Sequence, residues 1–228
     1  MNVDIWRVRL DGLLPDGAWA ALSDAERERA GRMRPLAWQR DFMLSHYATR
    51  EILAGYTATD PAALEFRCGT GGKPKATGLV EFSLSHTDRL ALVAVSAAEV
   101  GVDVEITRQA PLADGLIARC LTAAEQAAVE HAAVAVSDDT TAAFLRYWTA
   151  KESYLKGLGI GLAEPLGNVE VHWDGNASAR VARGGATDQR WALHALEVGP
   201  DHIAAVAVNT PVPDVTVSIR YRDFKSQY

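Results

Sequence analysis

The sequence predicts an α+β protein built from two similar lobes. Three observations point there: strand and helix signals alternate along the chain, the second half repeats the order of the first, and no Pro-rich or Gly/Ser-rich linker parts them. At 228 residues, 48% of them hydrophobic, the chain can bury a core for one large domain or two small ones. A strand at 3–10 opens it, and Ser23 with Glu26 three residues on forms a capping box that starts a helix. A longer helix is expected over 36–55, anchored by Phe42, Leu44, Tyr47, Ile52 and Leu53. Gly69 to Pro74 reads as a glycine-rich loop, after which 79–86 and 89–96 alternate as two strands about a Thr87-Asp88 turn. A strand at 100–106 closes the first half, so the lobes are expected to be 1–106 and 107–228.

In the second half, helix signals fall at 111–119, at 122–134 (Thr122 and Glu125 as a second capping box) and at 141–157. Strands follow near 168–173, 191–198 and 202–208, and Ser137-Asp138-Asp139 breaks the alanine-rich run before the last helix. An internal echo supports duplication. Asp88 to Ser96 aligns with Asp201 to Asn209, identical at Asp, Ala, Val, Ala and Val.

No stretch approaches the roughly 20 apolar residues of a membrane span, and the opening Met-Asn-Val-Asp-Ile-Trp-Arg lacks the order of a signal peptide, so a cytoplasmic protein is expected. The net charge of −6 argues against a nucleic-acid partner. Cys68 and Cys120 lie far apart with no zinc-binding spacing and read as independent thiols. Arg27, Arg29, Arg32, Arg34 and Arg40 crowd one segment, either as a patch for an anionic ligand or acidic partner, or as a helix paired with its own Asp24, Glu26 and Glu28.

Two short stretches carry chemistry. In Gly101-Val102-Asp103-Val104-Glu105, strand alternation sends both carboxylates to one face. In Trp148-Thr149-Ala150-Lys151-Glu152-Ser153-Tyr154-Leu155-Lys156, helical spacing puts Trp148, Glu152 and Lys156 on one stripe. If strand and helix meet, three carboxylates can hold a hard divalent cation with an ammonium beside it for a phosphate. The same Glu152–Lys156 spacing also suits an ordinary solvated pair worth about 0.2–0.5 kcal/mol.

The residue types favour the first reading. Gly-Val-Asp-Val-Glu followed by Trp-Thr-Ala-Lys-Glu-Ser-Tyr-Leu-Lys resembles the paired signature of the phosphopantetheinyl transferase superfamily. Gly72-Lys73-Pro74, Phe82-Ser83-Leu84-Ser85-His86, Gly159-Ile160-Gly161-Leu162 and Pro165-Leu166 extend the likeness over about residues 72–167. The length resembles the surfactin-type (Sfp-like) branch, in which one chain supplies both halves as a pseudo-dimer with the active site in the cleft between the lobes.

The resemblance implies transfer of 4′-phosphopantetheine from coenzyme A to a serine of an acyl- or peptidyl-carrier protein, with release of adenosine 3′,5′-bisphosphate. It implies Mg²⁺, with Mn²⁺ also suited, on Asp103, Glu105 and Glu152. Glu152, Asp103 and Lys156 are the expected catalytic residues, Glu152 also taking the serine proton directly or through water. Coenzyme A falls to Arg40, Lys73, Ser85, His86, Asp103, Lys151 and Lys156, with Arg29 or Arg32 as other holders of the 3′-phosphate. Lys151 reads equally as solvent-facing, and Glu125 as facing the metal or merely capping a helix. A monomer is expected, and His46, His131, His172, His194 and His202 read as ordinary residues. A metal-dependent coenzyme A pyrophosphate hydrolase and a non-catalytic coenzyme A or carrier-protein binding module are the alternatives.

Overall fold

Val3, Ile5 and Val8, all buried, make Asn2–Arg9 (β1) the first strand. The structure, a computed structural model, describes residues 1–69, 72–76, 80–107, 115–135, 140–212 and 215–225, with backbone alone at Cys68, 133–135 and Leu162. Short helix α1 (Ala18–Ala21) leads to α2 (Asp24–Arg32), whose capping box pairs Ser23 and Glu26 as expected, and to α3 (Leu36–Thr57). A small hairpin, β2 (Phe66–Cys68) and β3 (Pro74–Ala76), occupies the glycine-rich segment. Then come β4 (Glu81–Thr87), β5 (Leu90–Ser96) and β6 (Val100–Ile106).

Helices α4 (Leu116–Cys120), α5 (Ala123–Ala135) and α6 (Thr140–Leu158) open the second half, followed by β7 (Val169–Asp174), β8 (Ser178–Arg183), β9 (Ala186–Thr187), β10 (Trp191–Leu196), β11 (His202–Asn209) and β12 (Ser218–Asp223). The expected start of a helix at 111, the start of a strand at 79, the break at Ser137-Asp138-Asp139 and the thiol of Cys68 lie outside the described residues.

The strands form two main sheets, ordered β12-β1-β5-β4 and β6-β11-β10-β8-β7, with β9 beside β8. The pairing moves the expected boundary. β6 does not close the first half: it pairs antiparallel with β11 and so opens the second sheet, as β1 opens the first by pairing antiparallel with β5. The duplicated plan is therefore strand, long helix and two hairpins, giving β1-β5-β4 once and β6-β11-β10 again, with the first hairpin of the second half, β7–β8, joined to its sheet where β2–β3 stands apart. The residue-by-residue echo is one position out. Ala91, Val93 and Val95 of β5 face α3, whereas their aligned Ala204, Val206 and Val208 of β11 face the other sheet. A one-residue slip reverses every side chain of a strand, so the echo matches the right strands in the wrong register.

Burial orders the molecule in four layers. Leu44, Tyr47, Ile52 and Leu53 of α3 cover one face of the first sheet, whose other face (Ile5, Leu92, Ala94) meets Val102, Val104 and Val206 of the second. Phe144, Tyr154 and Leu155 of α6 cover the far face of the second sheet. Residues 149–155 of α6 are all buried because the helix lies between that sheet, its edge strand β7 included, and α4 and α5.

Strand β12 returns from the end of the chain to pair parallel with β1. It is held at a buried acid: Asp4, 3% exposed, accepts from Arg220 at 2.7 Å, faces Arg222 at 3.4 Å and accepts from the Tyr56 hydroxyl.

A half-buried acid joins α2 to α3. Glu26 accepts from Ser23 N at 2.8 Å and Arg50 Nε at 2.9 Å, and contacts His46 Nδ1 at 2.8 Å. Burial pushes its carboxyl up, but the bonds from His46, Ser23 and Arg50 outweigh that and hold it at about 2 against an ordinary 4.5. The native state thus binds this proton less tightly than the unfolded chain. Its stabilisation is present above pH 4.5 and is lost as pH falls toward 2, a swing of about 3 kcal/mol. Glu26→Gln should accordingly cost more stability at pH 6 than at pH 3 in urea unfolding, and an equal cost at both would show that Glu26 titrates normally.

Candidate active site

Strand β6 and helix α6 cross at near-contact because neither carries a side chain at the crossing. A Cβ added to Gly101 would lie 1.9 Å from Ser153 O and 2.3 Å from Gly157 N, and one added to Gly157 would lie 2.5 Å from the Trp191 ring. Lys73 fastens the same crossing, donating its Nζ to Val100 O at 2.9 Å and Gly157 O at 3.1 Å. Since Val100, Val102 and Val104 turn to the other sheet, Asp103 and Glu105 turn to α6.

There Lys156 Nζ donates to Asp103 Oδ1 at 2.6 Å and to Ser85 Oγ at 2.9 Å, while Ser85 Oγ donates to the same Oδ1 at 2.9 Å. Asp103 is 4% and Glu152 7% exposed, and Asp103 Oδ2 and Glu152 Oε1 are buried without a hydrogen-bond partner. Burial first, then the charge of Asp103, with a smaller push from Glu105, raise the Glu152 carboxyl to about 7 against the opposing pull of Lys156. Among the described residues no three of His, Cys, Asp and Glu form a ready metal cage. Even so, two bare, buried carboxylate oxygens in a mutually repelling acidic field suit a divalent cation, because either the carboxylates share a cation or one must take a proton.

A cleft of about 350 Å³ opens beside this pair. The first lobe lines it with Arg29, His46, Lys73, Phe82 and His86, the second with Lys156, Gly159 and Gly161. His86 is surface-accessible but crowded, and partial desolvation followed by the neighbouring His46 lowers its pKa. His46 stacks on Phe42 at 4.0 Å between centroids, and Arg29 sits 5.2 Å over the same ring. The cleft can hold a polyanion whose charged end reaches Lys156 and the two acids.

A model of the 4′-phosphopantetheinyl transferase superfamily matches residues 99–207. The 4′-phosphopantetheinyl transferase HetI of Nostoc sp. is 34% identical over 219 residues, covering 91% of this chain and 87% of the relative. The chain belongs to the 4′-phosphopantetheinyl transferase superfamily. A phosphopantetheinyl transferase of Thraustochytrium sp. is 27% identical over 93% of this chain and 80% of its own length. The transferase Sfp of Bacillus subtilis is 24% identical over 89% of each.

Within this transferase His86 and Lys156 line the cleft, Lys156 reaches Asp103 beside it, and Glu152 lies in the field of Asp103, Lys156 and Glu105, while five other residues stand differently from expectation. Lys151 is neither solvent-facing nor free for a pyrophosphate: fully buried, its Nζ donates to Glu125 at 2.5 Å, Cys120 O at 2.8 Å and Leu166 O at 3.1 Å, which uses all three donors. Glu125 likewise faces inward, accepting from Thr122 N at 2.7 Å and Val171 N at 2.8 Å, so its capping role is the observed one and it does not face the metal pair. Lys73 lines the cleft, with its ammonium donating to Val100 O and Gly157 O and 3.8 Å from the Glu81 carboxylate. Arg40 does not line the cleft, because it donates to Leu10 O at 3.1 Å and to Asp41 at 3.0 Å. Ser85 points inward to Asp103 instead of to a phosphate.

Of the arginine cluster, Arg27 is tied to Asp24 and to backbone carbonyls, Arg32 to Glu28 and Arg34 to Gly31 O; Arg29 alone of the five lines the cleft. His46, read as ordinary, lines it too. Its signal was present in the sequence: Phe42 and His46 are four apart, on one face of α3. Trp148 packs on Phe144 at 5.8 Å as a buttress of α6. Cys120 is a buried free thiol. Among the described residues no helix is long and apolar enough to cross a membrane.

Proposed function

We propose that this chain transfers 4′-phosphopantetheine from coenzyme A to a serine hydroxyl of an acyl- or peptidyl-carrier protein and releases adenosine 3′,5′-bisphosphate. The observation that carries the reading is the pairing of bare, buried Asp103 and Glu152 oxygens with the Lys156 ammonium, at the end of a cleft lined by cationic groups of both lobes. Asp103, Glu105 and Glu152 would hold the divalent cation, Mg²⁺ or Mn²⁺. When bound, that ion neutralises pyrophosphate charge and so lowers the barrier to attack.

The chain's own residues do the rest. His86, Arg29 and His46 of the first lobe receive the phosphates of coenzyme A, with Arg29 in the place expected for Arg40, and Lys156 faces the pyrophosphate as a point charge. The serine oxygen forms a bond to the phosphorus that bears pantetheine as the bond to the adenosine-side phosphate oxygen breaks. Glu152 accepts the serine proton. Lobe 1–106, less β6 but with β12, serves coenzyme A recognition, and the rest of 107–228 with β6 carries the acids. Because one chain lines both sides of the cleft, a monomer suffices.

Incubation of an apo carrier protein with this chain, coenzyme A and Mg²⁺ should add one phosphopantetheine to the carrier serine by intact-protein mass spectrometry, and EDTA should abolish the gain. Absence of any gain across several carriers, or bisphosphate release with no carrier present, would sink the reading in favour of a hydrolase or binding module.

A further inference from the structure

Ser85 is 7% exposed, and its hydroxyl has a full set of partners. It donates to Asp103 Oδ1 at 2.9 Å and accepts from Lys156 Nζ at 2.9 Å and Val104 N at 3.4 Å. A hydroxyl has one proton and two lone pairs, so nothing remains to donate to a phosphate unless Asp103 is released. Lys156 meets the same Oδ1 at 2.6 Å, so one oxygen of Asp103 is saturated by two donors and the other, Oδ2, is buried and bare. The terminal torsion of an aspartate is soft, and without a tie either oxygen could face the site.

We propose that Ser85 is a positioning residue: from the first lobe it fixes the rotation of Asp103 so that Oδ2 is the oxygen offered to a cation, and it parks the Lys156 ammonium on Oδ1. The inference rests on the metal-dependent transferase reading above. Its chain of contacts runs from β4 across the seam between the two sheets, so the acid of one lobe is aimed by a hydroxyl of the other. Ser83, two residues earlier, supplies the comparison. Its hydroxyl accepts from Val102 N at 3.1 Å across the same seam. It thus shares Ser85's packing role without this hold on Asp103.

The test is titration of Mn²⁺ alone into metal-free protein, followed by electron paramagnetic resonance, for the parent, Ser85→Ala, Ser85→Thr and Ser83→Ala. Calorimetric binding of coenzyme A without metal is measured in parallel. Groups that orient metal-binding side chains typically contribute about 10- to 100-fold in affinity. Ser85→Ala should therefore weaken Mn²⁺ binding about tenfold or more, Ser85→Thr should restore it, Ser83→Ala should match the parent, and metal-free coenzyme A binding should hold within about twofold. Should Ser85→Ala not fold, Ser85→Cys, a weaker donor of similar size, should fall between the parent and full loss.

Unchanged Mn²⁺ affinity in Ser85→Ala, equal losses in Ser83→Ala and Ser85→Ala, or a loss confined to metal-free coenzyme A binding would overturn the proposal. A parent that binds Mn²⁺ but modifies no carrier would sink the transferase reading while leaving the Ser85 comparison readable. A parent that binds no Mn²⁺ overturns both.

Discussion

Glu152→Gln should abolish carrier modification while making the metal-free protein more stable above neutral pH. The two effects have one origin. Glu152 is buried beside Asp103 and Glu105, and its carboxyl sits at about 7 instead of 4.5 because ionising it there is unfavourable. The folded state therefore binds this proton more tightly than the unfolded chain, so the stability associated with it is complete below pH 4.5 and is lost as pH rises through 7. At pH 8 the carboxylate costs the metal-free protein up to about 3 kcal/mol, and a neutral amide of the same shape removes that cost. Thermal unfolding of metal-free protein at pH 8 should show Glu152→Gln melting above the parent, with the difference closing at pH 5. Turnover should fall by roughly 10²-fold or more, since the amide cannot take the serine proton. A variant that keeps normal turnover removes Glu152 from the reaction, and one that melts below the parent at pH 8 shows that the carboxylate is not strained.

Much of this site was legible because local spacing fixes it. Strand alternation places Asp103 and Glu105 together, helical spacing places Glu152 and Lys156 together, and the two motifs need only one crossing to meet. Lys151 was misplaced because its helix is buried around most of its circumference, a property set by the second sheet on one side and by α4 and α5 on the other, which the sequence of α6 does not declare. Arg40 and Lys73 were misplaced for another reason. Residue type gives charge but not which oxygen lies nearest: each cation donates to a backbone carbonyl distant in sequence, with Asp41 also bonded to Arg40 and Glu81 facing Lys73.

In the fold, the long buried helices and hairpins were readable from periodicity. The assignment of β6 was not, because pairing with β11 spans about a hundred residues, and β12 was missed because it is a largely exposed edge strand with little apolar alternation. Its place beside β1 depends on Asp4 meeting Arg220 and Arg222 from the far end of the chain.

The other large effect is expected at Gly101, where one methyl group should undo the site. The added Cβ would meet Ser153 O at 1.9 Å, Gly157 N at 2.3 Å and Gly157 Cα at 2.9 Å. All three are backbone atoms of α6, so no rotamer change relieves the contact and the helix itself must back away from β6. Overpacking against movable side chains costs about 1–3 kcal/mol, and a fixed backbone places Gly101→Ala at or above the top of that range. The retreat would also pull Lys156 from Asp103, now 2.6 Å away, and Gly157 O from Lys73, now 3.1 Å away. Displacement of reacting groups by about 1 Å costs on the order of 10²-fold in rate, so any protein that still folds should be nearly inactive. Gly55→Ala is the control: it lies in α3 with open space at its Cβ, and there the same chemical change should leave activity intact and raise stability by up to about 1 kcal/mol. Thermal unfolding and carrier modification measured on both variants decide it. Parent-like melting and turnover in Gly101→Ala would mean that β6 and α6 do not approach this closely, and the pairing of Asp103 with Lys156 would lose its structural basis.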